Sequence, residues 1–184
     1  SQQGFGITDT KSKFWLGNAY NNWFDEAMDV MHYARENFER LVRDTRLYRD
    51  TVYDSTLPYW FIDRVTSQAA TLRTQTCLWN EDGNFHGFEG ARGAVHGSWG
   101  LASGCCPLNC THVWNYEMTL ARLFPDLERT VRHTDLKVQM RDDGGIIFRT
   151  VLPLYLPRWD MERDPHDRTN VACDGHWGTL LKVC

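Results

Sequence analysis

Phe14-Trp15-Leu16-Gly17-Asn18-Ala19-Tyr20-Asn21-Asn22-Trp23-Phe24-Asp25-Glu26-Ala27-Met28-Asp29-Val30-Met31-His32-Tyr33-Ala34-Arg35-Glu36-Asn37-Phe38-Glu39-Arg40-Leu41-Val42-Arg43 carries the strongest periodic signal in the chain. Phe14, Trp15, Tyr20, Trp23, Phe24, Ala27, Val30, Met31, Ala34, Phe38 and Leu41 recur mostly at three- and four-residue steps, with Asp and Glu on the opposite side. That spacing predicts a long amphipathic helix to about Arg43, with a break near Asn21-Asn22. A second apolar stripe, Leu57, Trp60, Phe61, Val65, Ala69 and Leu72, follows Ser55-Thr56 and Pro58. It predicts another helix ending near Arg73, capped by Ser55 or Thr56 and with proline tolerated in its first turn.

Thr74 to Asn109 holds half of the glycines and reads as a long irregular loop. Loops of this length inside a compact domain are usually functional or disordered, and the aromatic residues in this one argue against disorder. A third helix is expected from Thr111, with Trp114, Met118, Ala121 and Leu123 on its buried side. Leu123-Phe124-Pro125 should interrupt it, because proline lacks the backbone donor, and it should restart around Leu127. Asp142-Asp143-Gly144-Gly145 signals a hairpin turn between strands 136–140 and 146–151. Gly175 to Val183 reads as the opening of a further helix that stops without a cap. Mostly antiparallel helices joined by elaborate loops predict a mainly α chain. Its expected architecture is part of an α/α barrel, limited to the first helical hairpins.

The 184 residues suffice for one domain with a core. A net charge of -4 gives no footprint for nucleic acid or an anionic membrane. No run approaches the roughly 20 apolar residues of a membrane span. Ser1-Gln2-Gln3-Gly4-Phe5-Gly6 has neither the basic start nor the apolar stretch of a secretory leader. The missing Met predicts a start inside a longer chain.

Eight Trp, seven Tyr and nine Phe make 13% of the chain, more in the loops than packing requires. Of the cysteines, Cys77, Cys105, Cys106, Cys110, Cys173 and Cys184, none forms the paired Cys-x-x-Cys spacing of a structural zinc module. Buried thiols, a local disulfide, or a thiol-ligated metal site on Cys77, Cys106 and Cys110 all fit the pattern. No cofactor motif is present, since Gly83, Gly87, Gly90 and Gly93 do not follow a strand as a phosphate loop would.

The chemistry concentrates in two stretches: Asn80-Glu81-Asp82-Gly83-Asn84-Phe85-His86-Gly87-Phe88-Glu89-Gly90 and Cys110-Thr111-His112-Val113-Trp114-Asn115-Tyr116-Glu117. A sugar site needs a carboxylate at the anomeric carbon, aromatic faces for the ring, and imidazole or amide groups for the hydroxyls. Glu89, between Phe88 and Gly90, is the candidate nucleophile, and the bland alternative is a solvated loop acid. His112, Trp114 and Asn115 would line the same cavity if the loop folds onto the third helix. Their alternative is structural: a helix-start hydrogen bond for His112 and core packing for Trp114. His166-Asp167 and Asp174-Gly175-His176 each set a carboxylate beside an imidazole, a weaker general-base signal.

These residues belong to blocks that resemble the catalytic domain of glycoside hydrolase family 116, the non-lysosomal glucosylceramidases and bacterial β-glucosidases. The blocks are Ser55-Thr56-Leu57-Pro58-Tyr59, Ser67-Gln68 with Thr71-Leu72-Arg73-Thr74, Trp79 with Glu81-Asp82-Gly83-Asn84-Phe85, and Phe88-Glu89-Gly90. Further on come Cys110 to Glu117, Leu120 to Arg129, and Ala172-Cys173-Asp174-Gly175 through Leu181-Lys182-Val183. The resemblance implies an α/α six-hairpin barrel and retaining hydrolysis of β-linked glycosides. It implies Glu89 as nucleophile and sugar contacts from the helix start at Thr111, His112, Trp114 and Asn115. The acid/base Asp of that family lies downstream of the block at 172–183, and its β-sandwich lies upstream. The chain is therefore expected to hold the first part of the catalytic domain, without the β-sandwich and the second half of the barrel, and to be inactive in isolation. Better-studied members carry an Asp at the helix start and a shorter connection than Gly90 to Cys110. Without a second carboxylate, a non-catalytic carbohydrate-binding or scaffold protein of the same helical fold is the alternative.

Overall fold

The structure, a computed structural model, describes residues 5–9, 12–74, 76–87, 109–116, 118–150, 154 and 171–183. The chain is mainly helical. Strands β1 (Phe5–Asp9) and β2 (Ser12–Leu16) pair antiparallel, from Phe5 opposite Leu16 to Asp9 opposite Ser12. This corrects the helix expected from Phe14. The aromatic residues Phe14 and Trp15 favour a strand, and the apolar spacing there was compatible with either period. A 3-10 turn, Ala19–Asn22, follows.

Helix α1 (Ala27–Glu36) starts where the Asp29 carboxylate accepts hydrogen bonds from the backbone N–H of Asp25 (3.0 Å) and Glu26 (3.1 Å). Asn37 breaks the run. Its backbone and side-chain N–H groups both donate to the Tyr33 carbonyl at 3.0 Å, so the local amide competes with the helical ladder. Helix α2 (Phe38–Tyr53) then continues ten residues past the expected end at Arg43.

Helix α3 (Tyr59–Thr66) passes into a 3-10 segment, Ser67–Arg73, so only the first half of the second expected helix is α-helical. Its N-cap is Pro58, with no side-chain cap. Ser55 instead accepts the Leu57 N–H at 3.2 Å, one step too early to cap the helix. No residue of α1 or α2 is buried, and Met31, Phe38, Leu47, Tyr59 and Trp60 are exposed. The apolar stripes read from the sequence are real, but most of their residues face outward, with Leu72 the one that packs on the core.

The described part of the expected 74–109 loop contains a hairpin. Strands β3 (Cys77–Trp79) and β4 (Phe85–Gly87) pair with Leu78 opposite His86. Gly83 closes the turn at φ +87°, which an L side chain adopts only with strain. Its N–H donates to the Asn80 carbonyl at 2.9 Å. One face of the hairpin gives Cys77 and Phe85 to the apolar core with Leu120 and Val131.

Strand β5 (Asn109–Cys110) runs directly into helix α4 (Thr111–Tyr116), as expected for the third helix. Helix α5 (Leu120–Leu123) ends before Pro125, and α6 (Pro125–His133) starts with that proline in its first turn. Residues Thr134–Gln139 are a π-helical turn, which corrects the strand expected over 136–140. The Asp142–Gly145 turn does form. Met140 bridges Ile146, Gly144 sits at φ +85°, and β6 (Arg149–Thr150) pairs with β5 rather than with 136–140. Ile147 bridges Val171, and that contact delivers the chain to helix α7 (Cys173–Val183), close to the expected span. Among the described residues no helix is long and apolar enough to cross a membrane.

Candidate functional site

Two glycines let α7 cross α4 closely. A Cβ on Gly175 would sit 2.6 Å from Thr111 Cγ2, and one on Gly178 would sit 2.4 Å from Asn115 Cβ. Gly175 and Gly178 stand three apart on α7 and Thr111 and Asn115 four apart on α4, both spacings of one helix face, so the two helices share one seam.

Thr111 is fully buried in that seam. Its hydroxyl donates to the Ile147 carbonyl at 2.6 Å and accepts from Gln139 Nε2 at 2.8 Å. Asn115, also buried, donates through Nδ2 to the carbonyls of Thr111 (2.8 Å) and Gly175 (3.1 Å) and to Thr179 Oγ1 (3.2 Å). Its Oδ1 accepts from Arg132 Nη1 at 2.9 Å. Two amide protons already serve three acceptors, so the side chain has no donor left for a ligand.

Arg132 extends this network into a buried charge cluster. Its Nη1 lies 2.9 Å from Asp135 Oδ2, and its Nε lies 2.9 Å from Glu128 Oε1. The Glu128 contact is an ion pair without hydrogen-bond alignment, since neither atom has an aligned partner. Lys182 Nζ, from α7, is 3.8 Å from Glu128 Oε2. Thr179 Oγ1 donates to Asp135 Oδ2 at 3.0 Å. Burial pushes the Asp135 carboxyl up to about 6, against the pull of Arg132 and the Thr179 hydrogen bond. Two acids and two bases from α6, the π turn and α7 thus lock the floor beneath α4.

His112 differs from its neighbours because it is partly open to solvent. Its Nδ1 lies 2.5 Å from Asp174 Oδ1, on the first turn of α7, and its ring stacks on Phe148 at 4.9 Å and 17°. A carboxylate at Nδ1 fixes the proton there in the neutral ring, which leaves the Nε2 lone pair as an acceptor or base. Asp174 therefore pairs with an imidazole 62 positions earlier rather than with His176. That ring packs edge-on to Trp177, and its buried Nδ1 has no hydrogen-bond partner.

A side-chain hydrogen bond ties the strand before α4 to the β3–β4 hairpin. Gly87 N–H donates to Asn109 Oδ1 at 3.0 Å. On the same hairpin, His86 is completely buried with both ring nitrogens unpartnered, and Asn80 is buried likewise. Burial drives the His86 imidazole down to about 4, only partly countered by Asp82.

The structure thus brings Thr111, His112 and Asn115 together on α4, two of them as framework and His112 as the accessible group. Trp114 belongs to the same helix backbone. Glu89 lies outside the described residues, as do His166 and Asp167. Among the described residues no group of three His, Cys, Asp or Glu is placed to hold a metal ion. Cys77 and Cys110 are buried, while Cys105 and Cys106 lie outside the described residues.

Sequence reasoning missed the His112–Asp174 pair, because nothing local joins positions 62 apart. It also missed the Glu128-Arg132-Asp135 cluster, although those acids stand four before and three after an arginine on a helix, the spacing of neighbours on one face. No family model matches this chain, and no curated protein matches it.

Proposed function

We propose that the chain belongs to a retaining glycoside hydrolase acting on β-linked glycosides, with Glu89 as nucleophile and His112 as a contact to a sugar hydroxyl. The observation that carries this reading is the Gly87–Asn109 hydrogen bond beside the His112–Asp174 pair. It staples the strand leading into Phe88-Glu89-Gly90 to the strand leading into Thr111-His112.

In this reading the Glu89 carboxylate attacks the anomeric carbon, and the bond to the aglycone oxygen breaks as that oxygen receives a proton from the acid/base Asp that the resemblance sets downstream of 172–183. Water then cleaves the glycosyl ester and restores the carboxylate. Asp174 orients His112 so that Nε2 accepts from a hydroxyl of the bound sugar. Thr111 and Asn115 act beneath it, holding α4 against α7. The outward apolar faces of α1, α2 and α3 support the wider proposal that these are hairpins of an α/α barrel, completed by helices beyond this stretch.

The test is labelling of the complete protein by an activated 2-deoxy-2-fluoro-β-glucoside, followed by peptide mapping. The expected result is a single glycosyl ester on the peptide carrying Glu89, absent in Glu89→Gln. An ester on another carboxylate overturns the assignment. Saturable sugar binding with no ester on any carboxylate would favour a carbohydrate-binding protein instead.

A further inference from the structure

A second site lies on the apolar side of the β3–β4 hairpin, where Phe85 is buried. A cavity of about 1000 Å³ opens there between the hairpin, the 3-10 turn after β2, and α5 with the start of α6. Trp23 and Trp79 stand in its wall with ring centroids 5.0 Å apart at 54°. Phe24 and Phe124 extend the aromatic lining, and the buried Leu120 and Phe85 line it as well. The volume is at the upper end of the range for small-molecule sites.

Its lining carries one basic and one acidic side chain, and the two differ in their partners. Arg73, the last residue of the 3-10 segment after α3, lines the cavity and is exposed. Among the described residues it has no carboxylate partner. Asp126 also lines the cavity, but its carboxylate is ion-paired with Arg129. A guanidinium is built to receive a carboxylate through two parallel N–H donors, and here it borders a wall of rings.

We infer that this cavity binds an elongated apolar carboxylate, its tail against Trp23, Trp79 and Phe124 and its head group on Arg73. The indoles supply flat contact area at little entropic cost. The exposed guanidinium selects the charge of the head group rather than supplying most of the affinity. The site uses neither Glu89 nor His112, so it stands or falls apart from the hydrolase reading.

The experiment titrates the protein with dodecanoate, dodecanol and dodecyltrimethylammonium below their micellar concentrations, followed by tryptophan fluorescence and calorimetry. Dodecanoate is expected to saturate and to bind about five- to tenfold tighter than dodecanol, the range for a charge-assisted contact at a wet site. Arg73→Gln should erase that preference without changing dodecanol binding, and Arg73→Glu should turn it toward the trimethylammonium probe. Equal binding of the three probes, non-saturable binding, or an unchanged preference in Arg73→Glu overturns the proposal. Both substitutions fall on an exposed side chain without a partner among the described residues, so the fold is expected to survive them.

Discussion

Gly178→Ala sets two effects of opposite sign against each other. In a helix interior the change gains about 1 kcal/mol from propensity. At this seam, however, the new methyl would lie 2.4 Å from Asn115 Cβ, short of an ordinary carbon–carbon contact by about 1.4 Å. The obstacle is the Cβ of a buried helix residue, not the end of a flexible side chain, so the helices must separate. Overpacking of this kind costs about 1–3 kcal/mol. Separation also stretches the Asn115 bonds to Gly175 and Thr179, which stand at 3.1 and 3.2 Å, and each lost bond costs about 1 kcal/mol more. The net expectation is a loss of about 2 kcal/mol, or roughly 4–8 °C in Tm for a chain of this size. Thermal melting followed by circular dichroism reads it directly. Asn115→Ala leaves the Cβ in place and should not rescue the loss. A Gly178→Ala protein that melts at or above the parent temperature would refute the close-crossing argument.

Two buried titrating groups should act in opposite directions on the pH dependence of stability. Asp135 has its folded pKa raised to about 6, so its contribution is full below its unfolded value and is lost as pH rises through 6. His86 has its folded pKa lowered to about 4, so its contribution is present above its unfolded value and is lost as pH falls toward 4. Each shift is on the order of 3 kcal/mol. Between about pH 4 and 6 they offset one another. Relative to the parent, Asp135→Asn should lose stability on acidification and His86→Phe should gain it, measured by urea unfolding at several pH values. Parallel curves for the two variants would contradict both assignments. Asp174→Asn should remove a downfield imidazole proton of His112 from the NMR spectrum and cost less than about 1 kcal/mol, because the pair is partly exposed. The outward Tyr59, Trp60 and Leu181 should make the protein associate at micromolar concentration, and Trp60→Lys should reduce that association in sedimentation velocity. A monomer at every concentration would count against open apolar faces.

Helical periodicity was legible wherever the chain kept one environment. Ala27 to Leu41, Leu57 to Val65 and Gly175 to Val183 all lie mostly in helices. The pattern said that one side was apolar, but not that this side would stay open, since burial is a property of partners that the local sequence does not contain. Phe14 and Trp15 misled because two aromatics next to a helical stripe extend it by eye, while their strand pairing with Gly6 and Ile7 is set by cross-strand contacts. Leu136 and Val138 alternate as a strand would. Asp135 and Gln139 are the residues that decide the local winding, through bonds to Thr179 and to Thr111 and Ile147. At the candidate site, composition picked out the start of α4. It could not separate His112, which faces solvent, from Thr111 and Asn115, which the seam consumes.

The π turn at Thr134–Gln139 is where one position's worth of chain has been let out. Six residues wound at about 4.4 per turn cover nearly the same rotation as five wound at about 3.6, so excising one residue there, other than Gln139, should let the segment relax to ordinary α winding with the flanking faces kept. One further residue has no second slack turn to absorb it and would swing everything after it by about a quarter turn. Gln139 would then leave the hydroxyl and carbonyl it bridges, and the 140–150 ribbon would no longer hand α7 to its seat. Chain length at this point is therefore constrained in one direction: a deletion should be tolerated where an insertion is not.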